Sequence, residues 1–418
     1  MEKPNKVHLL AAAFMIVAPL SISGQATEGI KYLRLIVTAA MAGFGMFLYE
    51  KESLGSLTKS FVFFCAIFTT SALWSDNIFW ALFYKGSFLM AVLGGIYMTY
   101  TIQNRQQLTN AIKLMANIGT IGGLLLFVVF LMNPETNTAG GRMAIGGMNA
   151  NTIGAAAAPM FTLAVFMSFW QQQFKRRLFY LGSATLLAIT ILGSGSRGAT
   201  LMAIVGTLMA VKPFLQKKAA TIILAIAIPL GGLQIVSIAT GFDLASKIPG
   251  LSRITEGSTK ENTREGMWEY SMKRFYNNPA IGCGWLHFGN SQANSHSVYI
   301  QVLAESGLVG GTFFVVFILQ LVIGSSRSKQ ELFGMTSPEL LALPMGIVTS
   351  VAVHGMVEAS ALFGTTSLPL LFGFSIALID RLPDLMREGT LDLPTEKPVS
   401  AIPRLDIRST RSLKNEGD

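Results

Sequence analysis

Residue types alone put the chemistry of this chain in a histidine and a few cations set among apolar runs. His296 stands in "NSHSVY", immediately before a long apolar stretch. An imidazole gains and loses a proton near neutral pH, which suits it to taking the proton of a hydroxyl. Arg197 stands in "LGSGSRGAT", residues 192–200, where glycines let backbone come close to a ligand. The helix that follows turns free N–H groups and a positive dipole end outward. With Arg197 this makes an anion site; the same stretch also reads as a tight interhelical turn whose arginine reaches back to water. Further cations lie at a similar depth: Lys31 and Arg34 at the entry of one apolar run, Lys85 about seven residues into another, and Arg142 in the glycine-rich "GGRMAIGGMNAN". A cation at the centre of a membrane helix costs roughly 2.5 to 3.5 kcal/mol. Several at one level imply a shared anionic partner, or pairing with Glu305, Glu358 or Asp76. Glu305 follows His296 on the same predicted helix, about 180° round and on the order of 13 Å deeper, so it does not orient the imidazole. It is expected to brace a neighbouring span or cap a buried cation; unpaired, it would mark a proton pathway.

The elements that must position these residues are membrane helices. Of 418 residues, 51% are hydrophobic and 13% charged, and the mean hydropathy is +0.50, outside the range of a soluble domain. Runs long enough to cross a bilayer core of roughly 30 Å fall at 7–23, 30–49, 57–74, 78–100, 107–132, 151–170, 178–195, 197–215, 219–239, 298–323, 338–360 and 362–380. The expected fold is therefore an all-α polytopic membrane protein of about 12 spans. Lysines and arginines crowd the loops that are cytoplasmic if the amino terminus is inside, and the tail. That places both termini in the cytoplasm and the long loop, 240–297, outside. It also accounts for the net charge of +9 through anionic lipid headgroups rather than nucleic acid. The first run follows Lys3 and Lys6 and reads as an uncleaved span.

One membrane domain, 1–380, thus carries an outer insertion at 240–297, followed by a polar cytoplasmic tail at 381–418 that is expected to be disordered. Within the insertion, "ENTREGMWEYSMKRFYNNP" predicts a helix starting at Asn262 or Thr263 and ending at Asn277 to Pro279. Arg264, Trp268, Met272 and Phe275 share its apolar face. The segment after it, "IGCGWLHFGNSQANS", reads as a loop packed close against something. Cys65 and Cys283 are too far apart in this topology to pair, and no two of the four histidines sit at metal-ligand spacing, so no metal site is expected.

"NSHSVYIQVLAESGLVGG" resembles the histidine-containing signature of the bacterial O-antigen ligase family, which also includes O-antigen and exopolysaccharide polymerases. "SGSRGA", "NTREGMW" and "NNPAIGCGW" resemble three further signatures of that family, and "GRMAIGGMNANTIG" resembles the loop before its sixth span. The resemblance covers about 140–310 by motif and the whole chain by architecture. It implies a metal-independent, cofactor-free membrane glycosyltransferase of the GT-C type in the bacterial inner membrane, using a glycan on undecaprenyl diphosphate at the periplasmic face. Carried over by position, His296 is the catalytic base, with Arg197 and Arg264 on the donor diphosphate and Lys85, Arg142 and Arg34 as further diphosphate contacts. Glu305, Tyr299 and Trp268 are then structural.

Two acceptors remain open. A ligase passes the glycan to lipid A-core, a polymerase to a second lipid-linked glycan, and the signatures lean to the ligase. A lipid-linked glycan flippase would also need membrane cations, but not a surface histidine, and would be expected to show repeat symmetry. A peptidoglycan polymerase of the shape-determining type would rest on Asp243, which lacks the surrounding pattern.

Overall fold

The computed structural model describes residues 53–132, 150–215, 263–285, 295–333, 338–363 and 368–391, with short pieces at 36–37, 39–40, 42–43, 46, 138–139, 142–143, 287–288 and 291–292. In hydrocarbon no water satisfies backbone N–H and C=O groups, so each apolar run closes its hydrogen bonds internally as a helix. The described helices are α1 (Ser56–Thr70, extended by a 3₁₀ turn, Ser71–Trp74), α2 (Ile78–Tyr100), α3 (Arg105–Met132), α4 (Ala150–Trp170), α5 (Phe174–Gly193) and α6 (Arg197–Val211). They continue with α7 (Thr263–Asn277), α8 (Val298–Glu331), α9 (Ala342–Gly355), the single turn α10 (Ser360–Phe363) and α11 (Leu368–Leu391). Strand among the described residues is confined to two antiparallel pairs, β1 (Thr138–Ala139) with β2 (Arg142–Met143) and β3 (His287–Phe288) with β4 (Ser291–Gln292). Ser56–Trp74, Ile78–Tyr100, Ala150–Trp170 and Val298–Glu331 are long and apolar enough to cross a membrane, and the protein is a helical membrane protein. The runs expected at 107–132, 178–195, 197–215, 338–360 and 362–380 fall on α3, α5, α6, α9 with its flanking turns, and α10 with α11. Those at 7–23 and 219–239, and nearly all of 30–49, lie outside the described residues.

Packing relies on small residues and aromatic rings, because lipid tails are as apolar as leucine and confer no advantage on apolar burial between helices. A Cβ on Gly95 of α2 would collide with the Leu370 carbonyl oxygen of α11, and one on Gly373 of α11 with that of Val92 on α2. α6 and α9 meet in the same way, with Gly346 against the Gly206 carbonyl. Between α1, α8 and α11 the Phe61 ring sits 4.7 Å from Phe317 and 5.2 Å from Phe372. α11 does not stop at 380, where the membrane domain is expected to end, but runs to Leu391. The charged residues there have partners: Arg381 donates to the Tyr100 carbonyl at 2.6 Å and Arg387 meets Glu331 at 2.8 Å.

α8 is broken at Gly307, where φ is 63° and ψ is −161°. The segment after α7 fills the break: Leu308 and Val309 N–H donate to the carbonyls of Pro279 and Ala280 at 2.8 and 3.0 Å. In return Cys283 and Gly284 N–H donate to those of Ala304 and Glu305 at 2.8 and 3.0 Å. Only glycine fits this clasp at Gly282 and Gly307, since both have positive φ and a Cβ on either would lie 2.5 Å from opposing backbone. Of the close-packed loop expected from "IGCGWLHFGNSQANS", residues 281–285 are seated on α8 and on the end of α1, where Trp74 Nε1 donates to the Ile281 carbonyl and the Ser75 hydroxyl to that of Trp285.

Candidate active site

At one end of the bundle the N-termini of α4, α6 and α8 meet the C-terminus of α9. Gly154 of α4 abuts Ser194 and Ala199 at the start of α6, Gly198 of α6 abuts His354 and Val357, and Gly355 abuts Val298 of α8. Three positive dipole ends face one region, favourable for an anion. Ser196 caps α6, accepting from Ala199 N–H, and Ser297 caps α8, accepting from Ile300 N–H.

His296 sits in the turn before α8 with φ of 50°, an αL conformation that is uncommon outside glycine and costs roughly 1 to 3 kcal/mol. The two buried serines beside it hold that backbone: Ser295 Oγ donates to the Ser297 carbonyl at 2.7 Å and accepts from Ser297 N–H at 3.3 Å. The result aims the ring at the turn that follows α9. His296 Nδ1 lies 3.1 Å from Glu358 Oε2, and the imidazole stays 29% exposed while the carboxylate is buried. Glu358 is held in turn by Asn151 Nδ2 at 3.3 Å and by Ala359 N–H at 3.1 Å. A carboxylate on Nδ1 sets that nitrogen as the donor and makes Nε2 the basic nitrogen, the arrangement of a general base with its orienting acid.

Arg197, the first residue of α6, is exposed at this end. Arg264, in the first turn of α7, is half-buried and acts electrostatically on His354, as does Glu358. His354 is buried at the end of α9, its Nε2 without a hydrogen-bond partner among the described residues. The structure thus gathers His296, Arg197 and Arg264 around the end of α9.

Lys85 points elsewhere. It lies 2.8 Å from Glu305, both side chains buried, hydrogen-bonds the Phe68 carbonyl at 3.2 Å and the Ser71 hydroxyl, and sits over the Phe68 ring. Gln301 Nε2 donates to the other Glu305 oxygen at 2.9 Å. This is a neutralised pair linking α2 to α8. Tyr299 ties α8 to α9 through its hydroxyl on the Ala352 carbonyl at 3.0 Å, and Trp268 is half-buried on α7. Arg142 opens β2, with its side chain outside the described residues, where Arg34 also lies. In the last turn of α7, Arg274 pairs with Asp76 at 2.9 Å and bonds Cys283, whose thiol burial pushes above its ordinary pKa against the pull of that arginine.

Residue types alone do not single out Glu358, Asn151 or His354 as site residues. The available signal is a carboxylate in "VHGMVEASALFG", because an ionisable group inside an apolar run needs a partner.

Residues 182–315 match the family model described as O-antigen ligase, a stretch that contains Arg197, Arg264, His296 and Glu305. No curated protein matches the chain.

Proposed function

We propose, from the match of residues 182–315 to the O-antigen ligase family model, that the chain is a membrane glycosyltransferase moving a glycan from undecaprenyl diphosphate to an acceptor hydroxyl, with lipid A-core as the acceptor. One observation carries the reading: the part-exposed His296 imidazole has its Nδ1 on the buried Glu358 carboxylate. In the reaction His296 Nε2 takes the acceptor's hydroxyl proton, and the oxygen attacks the anomeric carbon from the face opposite the diphosphate. The anomeric C–O bond breaks with inversion, and its electron pair leaves on undecaprenyl diphosphate. Glu358 stabilises the imidazolium that forms. Arg197 and Arg264 neutralise the leaving diphosphate, which guanidinium groups can bind bidentately. That electrostatic stabilisation is expected to be the larger contribution, beside about 100- to 10,000-fold from the base. The donor carries its own activation, so neither metal nor nucleotide is required.

In this reading the architecture is of the GT-C type, with twelve spans in the bacterial inner membrane, both termini cytoplasmic and the site periplasmic. The support is the distribution of lysine and arginine among the loops. A second acceptor, another lipid-linked glycan, makes the enzyme a polymerase of O-antigen or exopolysaccharide repeats. The deciding experiment gives the purified protein an undecaprenyl-diphosphate-linked repeat with and without lipid A-core and resolves the products on a gel. Product only with lipid A-core identifies the ligase, and a ladder from donor alone the polymerase. No product and no released diphosphate lipid would reject both and point to a transporter.

A further inference from the structure

A cavity of ≈ 560 Å³ lies at the opposite end of the bundle from His296, between the start of α3 and the turn joining α4 to α5. α4 measures the separation: Asn151 at its first turn bonds Glu358, and Gln171, just past its last, lines the cavity. Its 21 residues span about 30 Å, one bilayer core. The cavity is cationic. Gln106, Asn110, Lys113 and Asn117, at successive helical spacings, line it from α3, and Lys175 and Arg176 line it from α5. No carboxylate lines the cavity, and none lies within ion-pair distance of these three cations among the described residues. The neutral lining is amide and phenol: Asn117 accepts from the Tyr180 hydroxyl at 3.0 Å, and the Gln106 and Asn110 side chains bond each other at 3.1 Å.

Three cations gathered with no carboxylate beside them among the described residues repel one another, which favours an anion in the cavity. The apolar surface beside it says what kind. Phe179 lines it and is 52% exposed, Leu178 beside it is exposed, and the α3 stripe continues past Asn117 as exposed Ile121 and Leu124. Polar walls at the membrane surface thus run directly into apolar walls at acyl-chain depth. Basic pockets between membrane helices take lipid headgroups in this way.

We propose that this cavity binds the phosphate headgroup of an anionic phospholipid in the leaflet opposite the His296 site, with Lys113, Lys175 and Arg176 on the phosphate and the acyl chains along Phe179 and Ile121. The shared chemistry is a phosphate anion, and a free phosphate is the alternative source.

The test uses the full-length protein in detergent, titrated with phosphatidylglycerol, phosphatidylcholine or inorganic diphosphate and read by native mass spectrometry. Phosphatidylglycerol is expected to bind in preference to phosphatidylcholine. Each cation contributes roughly fivefold, so Lys113→Gln, Lys175→Gln and Arg176→Gln together should remove about a hundredfold of that preference. Lys59→Gln, which removes an exposed charge at the same end outside the cavity, should leave it intact. If the triple variant is poorly folded by gel filtration, Lys175→Gln alone, at an exposed position, should show the fivefold loss. Unchanged preference in a folded variant would overturn the site. Diphosphate displacing the lipid at comparable concentration would overturn the lipid as its source.

Discussion

Glu358 and Lys85 are the side chains whose substitution separates chemistry from scaffolding. Glu358→Gln keeps the size of the side chain but removes the charge that steadies the imidazolium. Turnover is expected to fall by about 100-fold or more with little change in donor KM, and Glu358→Asp should recover part of it. His296→Ala, Arg197→Ala and Arg264→Ala should each abolish transfer in protein that still inserts and runs as a single species on gel filtration. Full activity in any one of them removes that residue from the mechanism. Lys85 makes the opposite case. Lys85→Met leaves Glu305 buried without its cation, which should destabilise the protein by about 3 to 5 kcal/mol, and adding Glu305→Gln should restore stability and transfer together. If the double variant is stable but inactive, Lys85 takes part in donor binding after all. Residue type and position bring His296 and Arg197 forward, yet the partner of each charge depends on helix packing. Glu358 stands 62 residues from His296, and nothing local joins them. For the same reason Lys85 reads in sequence as one more cation at the level of the anion site, although its side chain ends on Glu305.

Among the elements, the clasp on α8 fixes how α7 and the turn before α8 sit relative to each other, and therefore how Arg264 and His296 do. Gly307→Ala and Gly282→Ala place a Cβ against backbone at positive φ. Each is expected to cost at least roughly 1 to 3 kcal/mol, seen as a lower midpoint of thermal unfolding in detergent and reduced transfer by the remaining folded protein. Cys283 reports on the same contact. The thiolate is the reactive form, and burial raises this thiol. Maleimide labelling of native protein at pH 8 should therefore be slow, quicken only above the ordinary thiol range, and become rapid when the clasp is opened by Gly307→Ala. Labelling as fast as that of a free thiol in the unaltered protein would contradict the clasp. The α7 limits were legible because capping residues and Pro279 mark them locally. The break at Gly307 was not, since a glycine within an apolar run looks the same whether or not another segment bonds to it. The end of α11 was obscured in a similar way: charges after 380 read as solvated tail until Tyr100 and Glu331 appear beside them.

At the scale of the molecule, two cationic regions lie at opposite ends of α4, about one bilayer core apart. Single cysteines introduced at Arg197 and Lys175 should therefore label from opposite sides of sealed vesicles, and labelling from the same side would undo the topology on which the glycosyl-transfer reading depends. Apolar run lengths make the membrane class readable, but close approaches such as Gly95 against Leu370 decide which helices are neighbours. The clasp also bears on how such a chain is made. A span interrupted at Gly307 enters the bilayer with carbonyl and N–H groups that lipid cannot satisfy. The segment that satisfies them, 279–284, precedes α8 in the chain, so in the proposed topology vectorial synthesis would deliver it across the membrane first. There it would wait as a template, and α8 would complete its own backbone by arriving against a loop already in place.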